Sequence, residues 1–249
     1  MTSLGQATFF AAAEAALSTH RLRLGFQHRA GDTPELLLGR HLRNLALSEA
    51  LYPVLQTLEL TLRNSIDQTL QAAFPASTFG HDWLSSTSVV LTPRDREEVH
   101  RVELHLRQAH KEVTRHRIVA GLSLGFWTGL FTRKYEISDS SSYTPTPGVQ
   151  TALWPRHLRS TFPHVPKRFL TPRHVYGMLA PLAQLRNAIF HHRPIWNEKL
   201  NSLHVSATEV IAWISPEVQR LTLRVDRFPA VHQRGEEAYR RLLKEIVED

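Results

Sequence analysis

Downstream of Leu45, aliphatic side chains recur at spacings of three and four, at Leu47, Leu51, Leu55, Leu58, Leu62, Ile66 and Leu70. That spacing places them on one face of a long helix. Pro53 lies inside the run and either kinks it or marks the first turn of its main part; "FPASTFG" (74–80) ends it. Upstream, an Ala-rich segment at 6–20 passes into "LSTHRLRLGF" (17–26), and "AGD" (30–32) breaks the pattern. In "TPRDREEVHRVELHLRQAHKEV" (92–113), Thr92 reads as an N-cap, Pro93 as the first helical residue, and acids follow in the early turns. "GLSLGFWTGLF" (121–131) reads as another buried helix, with glycines allowing close approach.

Thr171 and Pro172 repeat the cap-plus-proline start, Pro181 is a possible kink, and Pro194 disfavours helix at Arg193. Further helices are expected at about 201–214, 215–226 and 234–248. The stretch at 136–150 is rich in Ser, Thr and Pro and reads as an exposed loop. No segment alternates with the period of a strand, so the expected class is all-α.

Composition narrows the chemistry. The 249 residues allow one large domain or two modest ones. With no cysteine, disulfides, thiolate catalysis and Cys-based zinc sites are excluded. A formal charge of +7, carried far more by Arg than by Lys, favours an anionic partner. No apolar run reaches the ~18–20 residues that a membrane helix needs. The N-terminal apolar stretch follows no basic leader and contains Glu14, so it is not read as a signal peptide, and the cytoplasm is the expected compartment. His100, His105 and His110 are spaced by five, so their rings rotate away from one another. No His-Glu-x-x-His occurs, and neither a metal nor another cofactor is expected.

"LRNAIFHHRPIWN" (185–197) is the least generic stretch, because a leucine-rich helix ends there in several polar and titratable groups at once. Asn187 and His191 are four residues apart and share a face. Arg186 and His191 are five apart, about 140° around the axis, yet a long Arg side chain can sweep the last turn toward a shared phosphate. Read alone, the cluster is either a polar helix end or an acid–base site. His192 is about 100° from His191 and fits capping or packing as well as catalysis. Arg193 could grip a phosphate or end a solvated helix. On the earlier long helix, Glu59 and Arg63 are four apart and can pair on one flank.

Arg186, four intervening residues and His191 match the Arg-x4–6-His motif of the HEPN superfamily of ribonucleases, with Asn187 at its usual polar position. "LSTHRL", "AGD", "LSEALYPVLQTLELTLRNSID", "HRIVAGLSLGFWTGLF", "ALWP" and the 185–197 stretch occur in an order that resembles Abi-like (abortive-infection) proteins, over roughly residues 17 to 215. Arg193 stands where that family often has an acid. The resemblance implies a HEPN-type helical bundle with additional N- and C-terminal helices, taken as a single domain over 1–249. It also implies metal-independent RNA cleavage, with Arg186, Asn187 and His191 catalytic. His192, Arg193, Glu59, Arg63 and Asn64 would be supporting or RNA-binding residues. RNA and a second copy of the chain are the implied partners, an antitoxin or regulatory protein is a further candidate, and phage defence or toxicity is the implied role. The alternatives are a non-catalytic RNA- or tRNA-binding protein and a dimerising regulatory protein.

Overall fold

Two sequence features set the longest element: an N-terminal Thr-Pro-Glu start and the leucine face that follows it. In the computed structural model, which describes residues 3–80, 82–136, 152–196 and 198–248, this helix runs over 40 residues. The helices are α1 (Ser3–Ala16), α2 (Thr19–Gly25), α3 (Pro34–Ala73), α4 (Ala76–Phe79), α5 (Pro93–Gln108) and α6 (Arg115–Gly121). They continue with α7 (Leu124–Gly129), α8 (Pro172–Phe190), α9 (Leu200–Ile214), α10 (Pro216–Val225), α11 (Phe228–Gln233) and α12 (Glu236–Glu248). The protein is all-α. Among the described residues, extended pairing is limited to one isolated bridge between Glu136 and Trp154. The loop expected at 136–150 lies outside the described residues, apart from Glu136.

Local chemistry accounts for the boundaries. Thr33 Oγ1 accepts the N–H of Leu36 at the start of α3, and Thr171 Oγ1 accepts that of His174 at the start of α8. Thr92 caps α5 by accepting the N–H of Asp95. Pro53 and Pro181 are both carried inside helices. Two expectations are corrected. The segment at 17–26 does not continue the first helix, because Ser18 at φ 70° breaks the chain and its hydroxyl caps α2. The stretch 121–131 is likewise not one helix: Ser123 accepts the N–H of Phe126 and starts α7 afresh.

The chain divides into two compact units. The first comprises residues 1–55, 184–205 and 222–249. One of its apolar clusters is built from Leu47, Ala50, Leu51 and Leu55 of α3 with Leu185, Ile195, Leu200 and Phe228. Another joins Leu22, Phe26, Leu37, Leu38 and Leu243, with Trp196 packed against it. These side chains are at most 5% exposed, so they hold the unit together chiefly by apolar burial.

The second unit comprises residues 56–183 and 206–221. Leu58, Leu62, Ile66 and Leu70 are fully buried here, and aromatic pairs such as Trp83–Trp127 and Phe131–Trp154 meet edge to face. Its polar anchor is Asp95, buried to 3% exposure. The carboxylate accepts hydrogen bonds from Thr92 Oγ1, from the Tyr135 hydroxyl at 2.6 Å and from Lys134 Nζ at 2.8 Å. Burial, and then the Asp95 charge, hold the Tyr135 phenol well above its ordinary range.

Candidate functional site

The end of α8 is amphipathic. Leu185 is buried, and Ala188 and Ile189 pack against the Leu47–Leu51 cluster. Arg186 and Asn187 are half-buried, while Phe190, His191, His192 and Arg193 are exposed. The Arg186 guanidinium lies over the Phe190 ring, 4.1 Å from its centroid, and Nη1 donates to Asn187 Oδ1 at 3.5 Å. Phe190 in turn meets Tyr52 of α3 at 5.8 Å, and both rings remain more than 40% exposed.

Beyond Phe190 the chain closes in a Schellman cap. His191 N–H donates to Asn187 O, His192 N–H to Ile189 O, and Arg193 N–H to Ala188 O at 2.8 Å. His192 occupies the left-handed position, at φ 54°, where glycine is commonest. The next residues are tied to the N-terminal elements of the same unit. Arg21 Nη2 donates to the His192 carbonyl at 2.6 Å. Asn44 Oδ1 accepts the Ile195 N–H at 2.7 Å, and Trp196 Nε1 donates to Gly25 O at 3.3 Å. Gly25 is required by close approach, since a Cβ there would stand 2.6 Å from Pro194 Cγ. Arg40 closes this region by pairing with Asp32 and Glu236 and covering the Trp196 ring.

Two hollows flank this end of the helix. An open one of about 550 Å³ is lined by Ser48, Tyr52, Pro53, Phe190, His192 and Arg227 among others, with Arg227 paired to Glu49 at 2.6 Å. A more enclosed cavity of about 240 Å³ includes His41, Asn44, Ser48, Ile189 and His192 in its lining. His192 therefore lines both hollows. Neither Arg186 nor His191 is in either lining; His191 faces solvent at the helix end.

Arg186, Asn187, His191, His192 and Arg193 all belong to the first unit. Glu59, Arg63 and Asn64 belong to the second. There Glu59 and Arg63 are half-buried and Asn64 is exposed, and Arg63 Nε is buried without a hydrogen-bond partner among the described residues. Among the described residues, no group of three or more His, Asp or Glu side chains is arranged to hold a metal ion. No helix there is long and apolar enough to cross a membrane.

Sequence reasoning missed several residues around the helix end. Arg21, His41 and Asn44 were not singled out, although Arg21 lies within the "LSTHRL" segment. Burial, and then the nearby Arg21 charge, lower the His41 pKa below its ordinary value, which favours neutral imidazole. Also unforeseen is a buried pair in which His204 Nε2 meets Asp226 Oδ2 at 2.7 Å while the His204 ring stacks on Phe228. No local pattern in the sequence signals these partners, because each contact joins distant segments.

The chain matches no family model, and no curated protein or solved structure is significantly similar to it.

Proposed function

We propose that this chain is a metal-independent endoribonuclease of HEPN type, acting in the cytoplasm in phage defence or as a toxin. The reading rests on the ordered motif similarity. The observation that carries it is the organisation of the α8 end: Arg186 over Phe190 with its Nη1 on Asn187, and an exposed His191 whose backbone N–H bonds Asn187. The tethered cap fixes the backbone that presents these groups, as positioning catalysis requires. In the reaction, the ribose 2′-oxygen attacks the adjacent phosphorus and the bond to the 5′-oxygen breaks. His191 takes the 2′-hydroxyl proton, and Arg186 offsets charge developing on the phosphate oxygens. Asn187 orients the guanidinium. A second imidazole, supplied by the other copy in a homodimer, protonates the leaving 5′-oxygen.

The test is cleavage of total RNA in EDTA by wild type, Arg186→Ala and His191→Ala, with folding checked by circular dichroism. Wild type should cleave, and each variant should lose about 100-fold or more. Full activity in both variants would remove the assignment. A second reading, RNA binding or dimerisation without cleavage, draws on the exposed Tyr52–Phe190 pair. It predicts no wild-type cleavage, together with salt-sensitive RNA binding or a stable dimer.

A further inference from the structure

The 240 Å³ cavity beside the end of α8 has a lining suited to a flat, polar-edged ring. Leu22, Phe26 and Ile189 supply apolar walls. Asn44 enters the lining while only 7% exposed. Its Oδ1 is occupied by the Ile195 N–H, but its Nδ2 donors have no partner among the described residues. Nδ2 keeps some solvent contact, so its donors can be reached by a ligand in the cavity. The His41 ring nitrogens also lack a hydrogen-bond partner there, and a neutral imidazole offers one donor and one acceptor. The titratable lining residues are Arg21, His41 and His192, with no carboxylate among them. Arg21 and His192 are exposed and carry this basic lining out to solvent.

Size narrows the ligand. The volume exceeds the ~150 Å³ that accommodates benzene in an engineered cavity and falls below the ~300 Å³ at which drug-sized pockets begin. One heteroaromatic ring system fits that range; its sugar and phosphate would remain outside, beside Arg21 and His192.

We infer that this cavity is a nucleobase subsite, in which Asn44 Nδ2 donates to a carbonyl or ring nitrogen of the base and His41 bonds its edge. The inference builds on RNA as the substrate of the adjacent helix end. The subsite would read the nucleotide beside the scissile phosphate, because single-stranded RNA is recognised through splayed-out bases held on their edges. The same chemistry would serve a free nucleoside or nucleotide acting as an effector.

Binding can be measured separately from cleavage. The 249-residue chain carrying His191→Ala is titrated calorimetrically with the four nucleosides, the four nucleoside 5′-monophosphates and a short single-stranded RNA. Saturable binding with a preference among bases is expected, and Asn44→Asp should weaken it at least tenfold. That change keeps an acceptor for Ile195 but removes the donors. His41→Leu, which disturbs no hydrogen bond among the described residues, should weaken binding about fivefold and covers the case in which Asn44→Asp fails to fold. Binding by nucleosides or monophosphates as strong as that of the RNA assigns the subsite to a free effector. Binding by the RNA alone, lost in the variants, assigns it to the substrate strand. No saturable binding by any probe, or binding unchanged in the folded variants, overturns the inference. Cleavage by wild type alongside absent base binding would sink only the subsite; the reverse result would sink only the nuclease.

Discussion

Asn44 Oδ1 receives the backbone N–H of Ile195 at 2.7 Å, joining two positions 151 residues apart in the chain. Ile195 is fully buried and Asn44 nearly so, so the bond joins two groups that are largely removed from solvent. Asn44→Ala should therefore cost about 1–3 kcal/mol of stability, the penalty of stranding a buried donor. Asn44→Asp should cost less, since its oxygen still accepts. Urea unfolding of both variants checks the order.

His192 carries a left-handed backbone conformation that a side chain disfavours. Histidine tolerates it better than most residues, but glycine has no Cβ to clash. His192→Gly should stabilise the protein by up to about 1 kcal/mol, and His192→Val should destabilise it by about 1 kcal/mol or more. Thermal unfolding of the pair separates backbone strain from loss of the imidazole, because both substitutions remove the ring and only one relieves the strain.

Asp95 gathers Thr92, Tyr135 and Lys134 within the second unit. Removing the carboxylate leaves the buried phenol and a partly buried ammonium without their partner. Asp95→Ala should cost about 3 kcal/mol, in the range for breaking one side of a buried pair. Denaturant unfolding measures it, and a loss below about 1 kcal/mol would mean that water replaces the carboxylate freely.

His41 gives a sign for pH. Burial first, then Arg21, hold its folded pKa below the ordinary 6.5. The unfolded chain thus takes up this proton at a higher pH than the folded chain does. The linked contribution is flat above pH 6.5 and becomes destabilising as pH falls from there through the folded value. His41→Gln should flatten the stability profile in that window relative to wild type, as followed by urea midpoints between about pH 7 and 5.

Elements with local causes were legible in the sequence. The Thr-Pro starts of α5 and α8 and the leucine face of α3 depend on neighbouring residues, and each was foreseen. The start of α3 at Pro34 was not, although Thr33-Pro34-Glu35 has the same cap, proline and acid as the α5 signature. The breaks at Ser18 and Ser123 were hidden because an interior serine and a capping serine look alike without knowing which backbone N–H is free. At the candidate site, the polar cluster and the helix end before Pro194 could be read from spacing. The residues that fix the cluster could not: Arg21, Asn44 and Gly25 meet residues 192–196 only after the chain has folded. The hollows likewise include side chains from separated segments, which no single stretch reveals.

The first unit is assembled from three separate lengths of chain, the last supplying Phe228 and Leu243 to its apolar clusters. The other unit has all its residues once position 221 has been made. During synthesis, which proceeds from the N-terminus and lets domains fold as units, the α8 end must therefore wait for residues far downstream before its surroundings can close. A ribosome that stalls before α12 leaves Leu22, Phe26 and Leu37 without their Leu243 neighbour, so the apolar cluster on which Trp196 rests is completed only when α12 has emerged.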